Sequence, residues 1–212
     1  MSTDGTSLIL DLVRHGEPEG GVMYRGSKDD PLSATGWEQL RRVVQRARDD
    51  GQDWDAVISS PMQRCHAFAN EVAAQRGLPL TVIDDLREMH FGDLEGMRPE
   101  QAWATHGDLL KALWKSPETV SPPNGETFPD FVQRVQGALD VLLETREASR
   151  LLVVVHGGVI RACLRQLMGM SGSDTFRVDV PYAGMTRFIA WRREGKPPQF
   201  SLGFINGYRG QA

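Results

Sequence analysis

The chain is expected to fold as an α/β protein built on a mainly parallel sheet with helices on both faces. Apolar runs of strand length alternate with helical stripes through most of the 212 residues, the pattern of successive βα units. The runs LILDLV at 8–13 and LLVVV at 151–155 show little polar alternation, as strands covered on both sides do. Glycine, proline and capping residues stand at the joints between runs, where chains turn.

Ser7 to Val13 forms the first expected strand, and GEPEGGVMYRGSKDDP after it a long glycine-rich loop. Ser33 is placed as the N-cap of a helix whose stripe is Trp37, Leu40, Val43, Val44 and Ala47. DAVISS is a second strand, ended by Pro61 at the start of a helix reaching about Arg76. LPLTVID follows as a third strand and DLREMHFGDLEGMRP as a loop. Residues 99–115 are helical but not cleanly amphipathic, and SPETVSPPNGE is too proline-rich for regular structure. Thr127, with Pro129 and Asp130 in the first turn, opens a helix carrying Phe131, Val135, Leu139 and Leu142. RLLVVVH is the most apolar strand, and Gly157-Gly158 starts a helix to about Leu167. Further strands are expected near 176–180, 185–191 and 200–204. With no repeat and no long linker, residues 1–212 are expected to form a single domain.

Composition narrows the function. Apolar residues make up 40% and charged residues 25%, ordinary for a folded protein, and the formal net charge is −4. No global basic field exists to draw the chain to nucleic acid or an acidic membrane, so any anion must be held by a local cluster. Cys65 and Cys163 form no metal-binding spacing. The start MSTDGTS lacks the features of a signal peptide, and no run approaches a membrane span. The expectation is a cytoplasmic protein acting on a small molecule, with a homodimer possible.

Crossovers between parallel strands are right-handed, so every strand-to-helix loop falls on one edge, where ligands of open α/β sheets bind. In order, that edge receives Arg14, His15, Gly16 and Glu17; then Ser59, Ser60 and Arg64; then Arg87, Glu88 and His90; then His156, Gly157 and Gly158. The first strand and RLLVVVH, the most fully apolar, are expected as central neighbours. Each of these residues alone has an ordinary explanation: a histidine bonded to a carbonyl, a solvated arginine, a surface glutamate, a serine cap. Their combination points to chemistry. Clustered His and Glu could hold a metal, but arginines beside them oppose a cation and neither HxH nor HExxH occurs. A phosphate-type anion fits better, gripped by guanidinium groups and by N–H groups at a helix start.

LVRHGE at 12–17, SSPMQRC at 59–65, LREMHFGDLEG at 86–96 and VVVHGGVIRA at 153–162 resemble, in order, the four signature segments of the histidine phosphatase superfamily, the phosphoglycerate mutase-like family. The resemblance implies a three-layer α/β/α sandwich on a mixed, mostly parallel sheet. It implies that His15 is the nucleophile that becomes phosphorylated, and that Arg14, Arg64 and His156 hold the phosphoryl oxygens. Glu88 would protonate the leaving oxygen and later activate water. The main-chain N–H of Gly157 would add a donor, and Gly16, Tyr24 and Gly26 are expected around the substrate. No metal or cofactor is implied, since the arginines and His156 supply the charge.

Within that family MYRGSKDDPLSATGWEQL, FGDLEG and PPNGETFPDFVQRV look most like the alpha-ribazole phosphatases of cobalamin assembly. The mutases typically carry an asparagine six residues past the nucleophile and an HYG segment; here stand Gly21 and His90-Phe91-Gly92. A phosphatase is therefore expected, with a broad-specificity or sugar phosphatase or a mutase as the alternative. A phosphate-binding module without turnover is the reading from another class. Tyr24, Trp103 and Trp114 are either core or a stack for a base-like group.

Overall fold

A computed structural model describes residues 6–144, 149–193 and 195–208. Strand β1 (Thr6–Arg14) is followed by helix α1 (Ala34–Asp49), strand β2 (Ala56–Ser59), helix α2 (Gln63–Arg76) and strand β3 (Leu80–Val82). Two 3₁₀ turns, Asp84–Leu86 and Gly92–Leu94, lead to helices α3 (Pro99–Lys115) and α4 (Phe128–Glu144). Strand β4 (Arg150–Val155), helices α5 (Gly157–Met168) and α6 (Gly172–Phe176), and strands β5 (Met185–Arg193) and β6 (Lys196–Gly207) complete the order.

The six strands form one sheet in the order β3-β2-β4-β1-β5-β6. β3, β2, β4 and β1 run parallel, while β5 and β6 add antiparallel. The sheet is thus mixed, and β1 and β4 are the expected central neighbours. Successive β4 residues feed opposite layers, as the pleat requires. Leu151, Val153 and Val155 join α4 and α5 in one core, with Phe131, Val135 and Leu139. Leu152 and Val154 join α1 and α2 in the other, with Leu40, Val43 and Phe68. Burying each such side chain is worth about 1.5–3 kcal/mol. Asp11, the polar exception in β1, is buried but paired: Arg187 donates to it at 2.6 and 2.9 Å and the Trp54 indole at 2.9 Å.

Ser33 caps α1 as expected, accepting from the Gly36 N–H. Two expectations change. No strand covers 176–180: Ser171, accepting from the Asp174 N–H, starts the short helix α6 there, and both edges of β1 are already taken by β4 and β5. The third strand shrinks to Leu80–Val82 because it lies on the sheet edge with one partner, β2. Pro61 stands at the start of α2 as expected, directly ahead of Met62 at the N-cap.

Candidate active site

Arg14 ends β1 in register with Val155, the end of β4. The residues that follow, His15 and His156, therefore emerge side by side from the carboxyl ends of adjacent parallel strands. Their rings meet edge-on, centroids 5.2 Å apart, and the His15 N–H donates to the Val155 carbonyl at 2.8 Å. The His15 Nδ1 lies 2.8 Å from the Gly16 carbonyl. A carbonyl only accepts, so Nδ1 carries the hydrogen and Nε2 keeps its lone pair. Burial, then the charges of Arg14 and Arg64, push the His15 pKa well below the ordinary value, which keeps the ring neutral. His156 is likewise held neutral by burial and by Arg64, its Nε2 2.7 Å from the Ser60 hydroxyl.

Three guanidinium groups surround the pair. Arg14 donates to the Val180 carbonyl at 2.6 Å and stacks 4.2 Å above the Tyr182 ring. Arg64, fully buried, donates to the carbonyls of Lys28 at 2.8 Å and Gly26 at 3.2 Å. Arg161, in the second turn of α5, donates to the Val178 carbonyl at 3.1 Å. The Nε of each of these arginines is buried without a hydrogen-bond partner. Such an orphaned donor costs about 1–3 kcal/mol, and three around one imidazole suit an anion with several oxygens.

Glu88 closes the other side. Its carboxylate accepts from the N–H of Met89 at 3.0 Å and of Gly158 at 3.1 Å. A Cβ at Gly158 would stand 2.1 Å from the Glu88 Oε1, so only glycine admits this approach. Arg134 fixes the loop that carries Glu88: it donates to the carbonyls of Asp85 (2.7 Å), Arg87 (2.8 Å) and Glu88 (3.0 Å). Its own orientation comes from a two-pronged pair with Glu126, at 2.7 and 2.8 Å.

A cleft of about 160 Å³ opens over His15. Of the residues expected from the sequence, Arg14, His15, Tyr24, Glu88 and Gly157 line it. Arg64 and His156 are fully buried and stand behind that wall. Gly16 and Gly26 are not at the cleft surface: a Cβ on Gly16 would strike the Gly36 carbonyl oxygen at 2.1 Å. Both glycines shape the backbone, and their carbonyls, on His15 and Arg64, do the positioning. Sequence reasoning missed Arg161, Arg25 and Tyr182, which also line the cleft. Arg161 sat inside the quoted VVVHGGVIRA and was the one findable; Tyr182 comes from a loop expected to follow a strand. The cleft's outer wall is apolar, with Met89, Phe91, Phe128, Phe131 and Phe176. Tyr24 packs edge-on against Phe91 at 5.6 Å. Trp103 and Trp114 pack against each other at 5.1 Å and are 37% and 42% exposed, so neither is core and neither reaches the cleft. Among the described residues no group of three or more His, Cys, Asp or Glu is placed to hold a metal.

Fold and edge together define an α/β protein that gathers neutral imidazole and guanidinium groups around a phosphate-sized cleft at its strand ends. The chain belongs to the histidine phosphatase superfamily (branch 1), whose family model matches residues 10–199. It is 33% identical over 172 residues to the adenosylcobalamin/alpha-ribazole phosphatase of Escherichia coli K12, covering 79% of this chain and 84% of that protein. It is 28% identical to the phosphoglycerate mutase of Schizosaccharomyces pombe, covering 82% and 86%. The crystal structure of the alpha-ribazole phosphatase from Shigella flexneri superposes with a TM-score of 0.79 at 28% identity, over 97% of this chain and 99% of that one.

Proposed function

We propose that the protein is a phosphomonoesterase that works through a phosphohistidine on His15 without a metal, and that its substrate is alpha-ribazole 5′-phosphate. The observation that carries the chemistry is the His15 ring itself. Its Nδ1 hydrogen is spent on the Gly16 carbonyl, and Nε2 is left as a neutral nucleophile beside three arginines whose Nε donors are buried and orphaned. In the first step Nε2 attacks phosphorus, the P–N bond forms, the ester P–O bond breaks and Glu88 gives its proton to the leaving oxygen. In the second, Glu88 takes a proton from water, the water oxygen attacks phosphorus and the P–N bond breaks, releasing phosphate and restoring neutral His15. Charge on the equatorial oxygens of the loose transition state is met by Arg14, Arg64 and His156.

The substrate rests on the relatives named above and on the cleft wall. Met89, Phe91, Phe128 and Phe176 offer apolar and aromatic surface beside the phosphate site, which suits a base-like alcohol better than a short polyanion such as phosphoglycerate. The mutase reading is supported by several relatives of that name, the one from Schizosaccharomyces pombe among them. A turnover panel in excess chelator separates these: alpha-ribazole 5′-phosphate, 3-phosphoglycerate with a bisphosphate primer, sugar phosphates and nucleotides. Hydrolysis of alpha-ribazole 5′-phosphate at the highest kcat/KM, with an acid-labile, alkali-stable phosphoryl group trapped on the protein, is expected. Activity abolished by chelator, or preferred interconversion of phosphoglycerates, would sink the proposal.

A further inference from the structure

Arg64 reaches its place by an indirect route. Each of its terminal nitrogens gives one N–H to a backbone carbonyl, Nη1 to Lys28 and Nη2 to Gly26, Nη1 also lies 3.8 Å from the Asp29 carboxylate, and the buried Nε–H has no partner. The direction of that N–H is therefore set by loop 26–28, which has no regular structure of its own. One carboxylate, that of Glu95 from the far side of the Glu88 loop, holds this segment. It accepts from the Ser27 N–H at 2.9 Å, the Ser27 hydroxyl at 2.7 Å and the Lys28 N–H at 3.0 Å. It also accepts from the Phe91 N–H at 3.1 Å, which ties the clamp to the loop beyond Glu88. The His90 ring nitrogen Nε2 lies 3.6 Å from the same carboxylate. Gly26 is needed for the approach, since a Cβ there would stand 2.4 Å from the Glu95 Oε1 and 2.2 Å from the Met89 carbonyl oxygen. Burial works to raise the Glu95 carboxyl, but the bonds from Ser27, Phe91 and Lys28 outweigh it and hold it below the usual carboxylate range.

We propose that Glu95 is a positioning residue for phosphoryl binding: it orders the Gly26–Lys28 loop, whose carbonyls aim the Arg64 Nε at the phosphoryl group. This rests on the phosphatase reading of the site, but not on the identity of the substrate. Glu95 itself touches nothing that reacts. Its carboxylate replaces with four short hydrogen bonds the ordering that a helix or strand would give. A misaimed donor at a transferring phosphoryl group is costly because catalysis there is largely positioning and charge.

The test is a double-mutant cycle between Glu95→Gln and Arg64→Lys, read both as kcat/KM on an aryl phosphate and as the affinity for inorganic phosphate by calorimetry. Glu95→Gln keeps the shape of the side chain but replaces one oxygen by an amide N–H₂, which then faces either the Lys28 N–H or the Ser27 and Phe91 N–H groups. It is expected to lower kcat/KM and phosphate affinity on the order of 10- to 100-fold in the wild-type background. In the Arg64→Lys background the same change is expected to cost less than about 3-fold, because the group it positions is gone. Equal losses in both backgrounds would overturn the proposal and leave Glu95 a stabilising residue only. Unchanged phosphate affinity in Glu95→Gln would overturn it too. Gly26→Ala, which crowds the clamp at the residue whose carbonyl holds the Arg64 Nη2, should reproduce the loss, and wild-type affinity in that variant counts against it. Failure of the phosphatase reading looks different: the unmutated protein would then bind no phosphate and turn nothing over.

Discussion

His15 and His156 differ from Arg64 and Glu88 in what holds them. The two histidines follow paired strands, and their spacing comes from the register that sets Arg14 against Val155. A ladder of backbone bonds through two cores fixes that register, and each ring is then turned by a neighbour at a strand end, His15 by the Gly16 carbonyl and His156 by the Ser60 hydroxyl. Arg64 and Glu88 are placed by partners elsewhere in the chain. Loop carbonyls turn Arg64, the Gly158 N–H and the Arg134 guanidinium hold Glu88 and its loop, and Glu126 holds Arg134. Chemistry at the strand ends should therefore respond to substitution of the reacting residue itself. Chemistry in the loops should respond to residues that touch no substrate.

The largest expected effect tests the strand-end half. His15→Ala removes the nucleophile and should lower kcat by on the order of 10⁴-fold or more on any monoester, with no phosphorylated protein trapped. It should still bind inorganic phosphate, since Arg14, Arg64 and His156 remain. Turnover within 10-fold of the parent, on the order expected of a mere contact, would end the assignment.

The loop-held half is tested by Glu88→Gln and Arg134→Lys. Loss of a general acid typically costs about 10²- to 10⁴-fold, and the cost should fall on alkyl esters far more than on an aryl ester whose leaving group needs no proton. Arg134→Lys cannot make the forked contact to Glu126 while reaching the Asp85, Arg87 and Glu88 carbonyls. It should lose about 10- to 100-fold with the same dependence on leaving group. A loss uniform across esters would mean that Arg134 serves the fold and not the acid, and the contrast between the two halves would weaken.

The same division explains what could be read from the sequence. β1, α1, α4 and β4 were legible because long apolar periods and caps state their type, and the pairing of the two most apolar strands followed from burial on both faces. The cluster at the carboxyl edge was legible because parallel topology sends every strand end to one side. The short helix at 172–176 was not, since the apolar positions Phe176, Val178 and Val180 alternate as a strand would. What holds that segment instead is non-local: the Val178 and Val180 carbonyls accept from Arg161 and Arg14, and the Gly172 N–H donates to Glu118. Tyr182 at the cleft depends on the loop this leaves behind. Glu95 and Arg134 were illegible as positioning residues for a related reason. Each is an ordinary charged residue whose partners lie far away in sequence, and a carboxylate shows no preference for Ser27 until the fold sets them 2.9 Å apart.

The smallest expected effect is on stability, and it belongs to the strand-end pair. His15 and His156 are both held neutral by burial, with their pKa values well below the ordinary one. An unfolded chain protonates a histidine near pH 6.5, whereas the folded state does not until much lower pH. Between these points the unfolded state binds more protons, so folding stability falls as pH falls. The slope is about 1.4 kcal/mol per pH unit for each histidine once pH is well below about 6.5. The carboxylates held low, Asp30, Asp55, Glu71 and Glu95, have the same sign of slope. Theirs sets in only as pH approaches about 4, where unfolded carboxyl groups begin to protonate. Urea unfolding in phosphate-free buffer between pH 6.5 and 5 therefore isolates the histidines. The parent should lose stability across that window, and His15→Gln should lose about half as much. A flat profile for the parent would mean that the strand-end imidazoles are not held neutral, and the nucleophile at the centre of the site would lose its physical basis.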